Sequence, residues 1–139
     1  MGVRLTSESI RYLTLFEGLT GASVKDCMIQ DDKVIFVVKK GDMGVAIGKG
    51  GMNVEKMKEL IGKRIEIVEH SEDPVEFIKN LFKPIRINVK LIEVKGKKVA
   101  QIYVNPQYKG LLIGKGGKNI NKAKELARRH HEIEDIIIK

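Results

Sequence analysis

The sequence contains one segment twice. Shifted by 66 residues, Ile47-Gly48-Lys49-Gly50-Gly51-Met52-Asn53-Val54-Glu55-Lys56-Met57-Lys58-Glu59-Leu60 lies over Ile113-Gly114-Lys115-Gly116-Gly117-Lys118-Asn119-Ile120-Asn121-Lys122-Ala123-Lys124-Glu125-Leu126, with 10 of 14 positions identical. An offset near half of the 139 residues describes a duplicated unit of about 70 residues, too long a period and too few copies for a solenoid. Each copy must then build its own small core. The pattern restarts at the polar Ser71-Glu72-Asp73-Pro74, where Asp73, Pro74 and Glu76 read as N-cap, first helical position and capping box. We expect two domains, 1–71 and 72–139, with almost no linker.

Both halves carry the same order of elements. In the first, Ser7 to Glu17 predicts a helix with Ile10, Leu13, Leu15 and Phe16 toward the core, ended by Gly18 and Gly21. Val24 to Ile29 and Val34 to Val38 predict a strand pair turning at Gln30-Asp31-Asp32-Lys33. Asp42 is expected to cap a short helix to Ile47; the glycine loop, a helix over Met52 to Leu60 and a strand over Arg64 to Glu69 follow. The second half predicts helix Pro74 to Phe82, strands Ile85 to Val94 and Lys98 to Val104, short helix Tyr108 to Ile113, helix Lys118 to Arg129 and strand Ile133 to Ile138. The alternation Ile85, Ile87, Val89, Leu91 breaks phase at Ile92, which predicts a bulge there, and Lys95-Gly96 makes the turn.

Charge narrows the partner. Twenty-six Lys and Arg against eighteen Asp and Glu give a formal charge of +8. Residues 1–70 hold 11 basic and 10 acidic side chains, net +1, whereas 71–139 hold 15 and 8, net +7, so the excess is local. A one-sided basic field of this kind suits a polyanion. No apolar run approaches the roughly 18 residues that cross a bilayer, and the N-terminus has no apolar signal core, so a cytoplasmic protein without a membrane partner is expected. Cys27 is the one cysteine, and with His70, His130 and His131 it offers no plausible zinc set. We expect no metal, no cofactor and no catalytic residue.

Three glycines in each four-residue loop, Gly48-Lys49-Gly50-Gly51 and Gly114-Lys115-Gly116-Gly117, lie between predicted helices at a heavy entropic cost. A tight turn accounts for the glycines but not for a lysine kept in both copies. Glycine lets a ligand approach the main chain, while lysine and the amides opening the next helix suit phosphate. The Walker pattern fails: Gly44 to Gly48 and Gly110 to Gly114 are one residue too close, and glycine stands where Ser or Thr would hold magnesium. The dinucleotide fingerprint fails as well, since its last glycine would fall on Asn53 or Asn119. With no Ser/His/acid or Cys/His set repeated in both halves, no enzyme and no small-molecule substrate are expected.

Ile-Gly-Lys-Gly-Gly with an apolar residue three positions later (Val54, Ile120), between short helices and before a strand, resembles the KH domain and its GXXG loop. Because the extra helix and strand precede this core instead of following it, each half is similar to the type II KH arrangement. The resemblance implies an α+β fold of two tandem type II KH domains, each a three-stranded mixed sheet with helices on one face. The tandem pair with Gly41-Asp42-Met43-Gly44 before the first loop, and Ala127-Arg128-Arg129-His130-His131 near the end, is similar to the archaeal NusA-like transcription factors. Bacterial members of that family add a polymerase-binding domain and an OB-fold domain, and neither is expected within these 139 residues.

The resemblance implies a non-enzymatic protein that binds single-stranded RNA and modulates transcription elongation or termination. About four nucleotides would lie on each domain, in a groove between the loop's helices and the adjoining strand. Carried over by position, Gly48, Lys49, Gly50 and Gly51, with Gly114, Lys115, Gly116 and Gly117, would clamp the RNA backbone. Val54 and Ile120, with Ile47, Ile65, Ile113 and Ile133, are candidates for the apolar groove floor or for plain core. Lys118, Lys122 and Arg129, sharing a helix face with Glu125, would track the strand beyond the second loop, or form a solvated face. Asn53 and Asn119 could donate to backbone or base, or serve the helix start. His130 and His131 suit the negative end of a helix. The RNA would be nascent transcript, with RNA polymerase as a further candidate partner; the alternative is ribosomal RNA, in a structural or assembly component of the ribosome.

Overall fold

Thr6 starts the first helix by exchanging hydrogen bonds with Ser9. Its Oγ1 accepts from the Ser9 amide at 3.1 Å, and its own amide donates to Ser9 Oγ at 2.8 Å. This capping box satisfies amide donors that the first turn leaves over. The helix α1, Ser7–Thr20, runs through Gly18 and stops at Gly21, whose φ of +78° is the left-handed conformation that ends helices. The computed structural model describes Val3 and residues 5–139, and the chain divides between Ser71 and Glu72 into two compact units.

In the first unit, α1 is followed by β1 (Val24–Gln30), β2 (Lys33–Val38), α2 (Met43–Ile47), α3 (Met52–Ile61) and β3 (Arg64–Glu69). The strands order β1-β2-β3, with β1 antiparallel and β3 parallel to β2. A parallel pair needs a crossover, and the segment carrying α2 and α3 supplies it, so sheet topology itself suspends the glycine loop between two helices. Val34, Phe36 and Val38 alternate along β2 in a buried cluster with Tyr12 and Phe16 of α1, Ala46 of α2 and Met57 of α3. Phe16 stacks on Phe36 with ring centroids 4.2 Å apart. The stripe expected on α1 is corrected: Ile10 and Leu15 are exposed, and the buried face is Ser9, Tyr12 and Phe16. Tyrosine and a capped serine complete the three- and four-residue spacing that isoleucine was expected to fill.

The second unit repeats this order as α4 (Pro74–Leu81), β4 (Asn88–Val94), β5 (Lys97–Tyr103), α5 (Lys109–Ile113), α6 (Lys118–His131) and β6 (Asp135–Ile138), with β4 antiparallel and β6 parallel to β5. Both units are therefore α+β, each with one three-stranded mixed sheet. Asp73 caps α4 by accepting from the Val75 amide at 3.0 Å, with Pro74 at the first helical position. Lys95 and Gly96 both take positive φ in a two-residue turn, the mirror-image geometry that matches strand twist.

Three local expectations are corrected. The ladder from Asn88↔Tyr103 to Val94↔Lys97 is regular through Ile92, so no bulge lies there; the register shift is in β1, between Val24 and Asp26. Ile92 simply occupies the other face of a regular edge strand, opposite Val99. Strand β4 starts at Asn88, three residues after Ile85. Asp42 stands at the N-cap position of α2, but its Oδ2 accepts from the distant Ser23 amide at 2.8 Å, tying the start of α2 to β1's approach instead of capping the helix.

Candidate nucleic-acid interface

Each glycine loop is the joint between a five-residue helix and a longer one, and the two joints are near copies. Gly48 and Gly114 have φ/ψ of 79°/164° and 79°/167°; Gly50 and Gly116 have 63°/20° and 64°/18°; Gly51 and Gly117 have 78°/15° and 78°/10°. Gly50, Gly51, Gly116 and Gly117 lie in the left-handed region, where a Cβ costs about 1–2 kcal/mol per residue, and the extended positive-φ conformation of Gly48 and Gly114 is one that essentially only glycine adopts. The loop is also tight: the Gly51 amide donates to Gly48 O and the Gly117 amide to Gly114 O, both at 3.0 Å. The Met52 and Lys118 amides are similarly spent on the Lys49 and Lys115 carbonyls. The first two amides at the start of each long helix are thus spent within the loop, and are not the donors that the sequence suggests for phosphate.

The glycines divide their work. A Cβ on Gly48 would lie 2.8 Å from Asn53 Cγ, and one on Gly114 would lie 2.8 Å from the Asn119 backbone nitrogen. The first glycine of each loop therefore packs against the next helix, not against a ligand. Nothing lies within 4 Å of a Cβ on Gly50 or Gly116. These tips are bare and exposed, and Lys49 and Lys115 beside them are exposed too, with no ion pair among the described residues. The space left open by glycine and the free positive charge coincide.

Apolar side chains flank both tips. Ile47 is 38% exposed and Ile113 43%, so neither is core, and Val45, Met52 and Leu111 are exposed beside them. Val54 and Ile120, one turn into the long helices, are half-buried. Ile65 is also half-buried and packs on the first core, whereas Ile133 is fully enclosed and belongs to the core of its unit, not to a groove floor.

The basic face expected on α6 is largely engaged. Lys118 is exposed at its start. Lys122 is 2% exposed, which corrects its placement on a solvent face. It falls only about 40° around the helix from Leu126, at the border of the buried stripe of Ala123, Leu126 and Ala127, and the stripe takes it in. Arg129 Nε donates to Glu125 Oε2 at 2.9 Å, Arg128 Nη2 to the same oxygen at 2.6 Å, and Lys124 pairs with Asp135 at 3.2 Å. Burial alone would raise the Glu125 carboxyl, but hydrogen bonds and charge from Arg128 and Arg129 outweigh it and hold the group below its ordinary value.

Two side-chain roles were not legible from the residues alone. His130 and His131 occupy the last turn of α6, as the dipole argument expects, but their rings also flank the buried Phe77 of α4, with centroids 5.2 and 5.3 Å away. Asn53 Nδ2 donates to Val45 O at 2.8 Å, and Asn119 Nδ2 donates to Leu111 O at 3.2 Å and Leu112 O at 3.0 Å. Among the described residues no group of three or more His, Cys, Asp or Glu is placed to hold a metal ion, and no helix is long and apolar enough to cross a membrane.

Two family profiles match the chain: the KH domain over residues 10–99, and the NusA-like second KH domain over residues 74–139. The chain is 41% identical over 135 residues to the "Probable transcription termination protein NusA" of Methanocaldococcus jannaschii, covering 96% of this chain and 74% of that one. It is 37% identical over 136 residues to the protein of the same name from Halococcus morrhuae, covering 98% of both. A solved structure titled "Crystal structure of APE1850" superposes with a TM-score of 0.83 at 36% identity, covering 97% of this chain and all of that one. Two mixed sheets, two matching glycine joints and these relatives agree, and the chain belongs to the NusA-like family of tandem KH-domain proteins.

Proposed function

We propose that this protein binds single-stranded RNA through its two GKGG loops and modulates transcription elongation or termination, acting on nascent transcript as a binding protein and not as an enzyme. Residues 1–71 and 72–139 are the two RNA-binding domains. The observation that carries the reading is the coincidence, in both copies, of a bare glycine tip with an exposed, unpaired lysine and an exposed isoleucine one residue before the loop. A sugar-phosphate chain needs close main-chain approach and a cation, and a base needs an apolar surface; the three lie together twice.

Gly48 and Gly114 shape the clamp, Lys49, Gly50, Lys115 and Gly116 face the backbone, and Gly51 and Gly117 turn the chain into the long helix. Ile47, Val54, Ile113 and Ile120 line the base groove. Lys118 extends the second site. Lys122 and Arg129 take no part as the protein stands, since one is enclosed and the other is held by Glu125. The names of the archaeal relatives support a role in transcription termination, and RNA polymerase is the further partner this reading admits. Ultraviolet crosslinking to an unstructured RNA, followed by mass spectrometry, tests it: crosslinked peptides should map to residues 45–54 and 111–120, and crosslinks confined to other segments would refute it.

A further inference from the structure

We propose that Asn53 and Asn119 are positioning residues that fix the shape of the two RNA-binding loops before RNA arrives. Each reaches back from the first turn of the long helix and binds carbonyls at the end of the short one. The inference rests on the RNA-binding reading of those loops.

A helix leaves its last four carbonyls without intrahelical partners, and in a five-residue helix those are most of the carbonyls it has. At α2 the Gly48 amide takes Gly44 O at 2.9 Å and Asn53 Nδ2 takes Val45 O at 2.8 Å. At α5 the Gly114 amide takes Gly110 O at 2.9 Å, and Asn119 Nδ2 bridges Leu111 O and Leu112 O at 3.2 and 3.0 Å. The bond therefore spans the whole GKGG segment and closes it from behind. Between Gly51 and Lys56, Asn53 is the one residue identical in the second copy; Met52, Val54 and Glu55 all differ from their counterparts.

Two physical consequences follow. A Cβ on Gly48 would lie 2.8 Å from Asn53 Cγ, and one on Gly114 would lie 2.8 Å from Asn119 Cβ and N, so each asparagine packs directly against the first glycine of its loop. The carbonyl oxygens carry partial negative charge, and an amide donor covers them while adding no charge of its own. An aspartate of the same shape would do the opposite, presenting a carboxylate to the carbonyls it faces. A loop held in its binding geometry loses less entropy on binding, which raises affinity without adding a contact.

Hydrogen exchange of the RNA-free protein separates this role from direct contact with RNA. Losing one such bond is worth up to about tenfold in an equilibrium, so Asn119→Ala should speed exchange of the Gly117 amide by about tenfold and weaken RNA binding by a similar factor. The salt slope of binding should stay at the wild-type value, because no phosphate contact is removed. Asn119→Asp should be worse than alanine at pH 7. Weaker binding with unchanged exchange in the free protein would mean that Asn119 touches RNA directly and would overturn the proposal, as would unchanged binding. If Asn119→Ala loses its native circular dichroism, Asn53→Ala, with one such bond at stake instead of two, carries the same readout at Gly51. Failure of the RNA reading looks different: Lys115→Asp would then leave binding intact, whatever exchange at Gly117 shows.

Discussion

Arg129 Nε donates to Glu125 Oε2 at 2.9 Å, and Arg128 Nη2 shares that oxygen at 2.6 Å. Arg128 and Arg129 stand in the last turn of α6, so Glu125 offsets positive charge at the end of the helix away from the second loop. Glu125→Gln should release the Arg128 guanidinium, whose two side-chain hydrogen bonds both go to Glu125, raising RNA affinity about threefold and steepening the log–log salt slope by about 0.7 as Arg128 gains a phosphate. Filter-binding titrations at several salt concentrations check this; an unchanged slope would show that Arg128 points away from the RNA.

The same cluster gives α6 a pH dependence of known sign. The Glu125 carboxyl is held below the ordinary value of 4.5 by its two arginines. A carboxyl lowered on folding contributes stability that is fully present above its unfolded pKa and is lost as pH falls through the folded one. Thermal midpoints of the wild type should therefore fall more steeply than those of Glu125→Gln from about pH 5 downward. Parallel curves would contradict the assignment. The side chain is 36% exposed, so solvent screening keeps the effect small.

The order of elements and the paired loops were legible because duplication made every local signal appear twice. What was not legible depended on contacts distant in sequence. Asp42 has the composition of an N-cap, yet Ser23, 19 residues away, claims its carboxylate. Lys122 fits a charged face by composition and period, and only the width of the buried stripe on α6 shows that it falls inside. Gly18 reads as a stop, but a glycine ends a helix only where the chain turns left-handed, which happens at Gly21. The role of Asn53 and Asn119 lies in carbonyls seven and eight residues back, in another element.

Glycines of one loop should differ in their tolerance of alanine. Gly116→Ala meets open space and costs only its left-handed backbone, about 1–2 kcal/mol. Gly114→Ala adds a clash with the main chain of Asn119, and overpacking of that kind typically adds about 1–3 kcal/mol. Urea unfolding of the two variants checks the order, and equal midpoints would contradict it.

Leu112 and Ile113 are neighbours with opposite duties. Leu112 is fully buried, and Leu112→Ala should cost about 2–5 kcal/mol in stability. Ile113 is 43% exposed, so Ile113→Ala should cost far less stability and show its main effect as weaker RNA binding. Paired denaturation and binding measurements test the split; a strongly destabilised Ile113→Ala with wild-type RNA affinity would return that side chain to the core.

The most direct measurement is a fluorescence titration of unstructured RNA against Lys49→Asp/Gly50→Asp, Lys115→Asp/Gly116→Asp and the fourfold variant, with circular dichroism recorded on each. Aspartate tolerates the left-handed region better than most residues, and both glycine tips have room for it. Each pair should weaken binding by at least about tenfold and the fourfold variant should abolish it, with native spectra throughout, since one charge reversal and one added carboxylate at a phosphate contact exceed one lost charge-assisted hydrogen bond. Wild-type titration curves from the fourfold variant would contradict RNA binding through these loops.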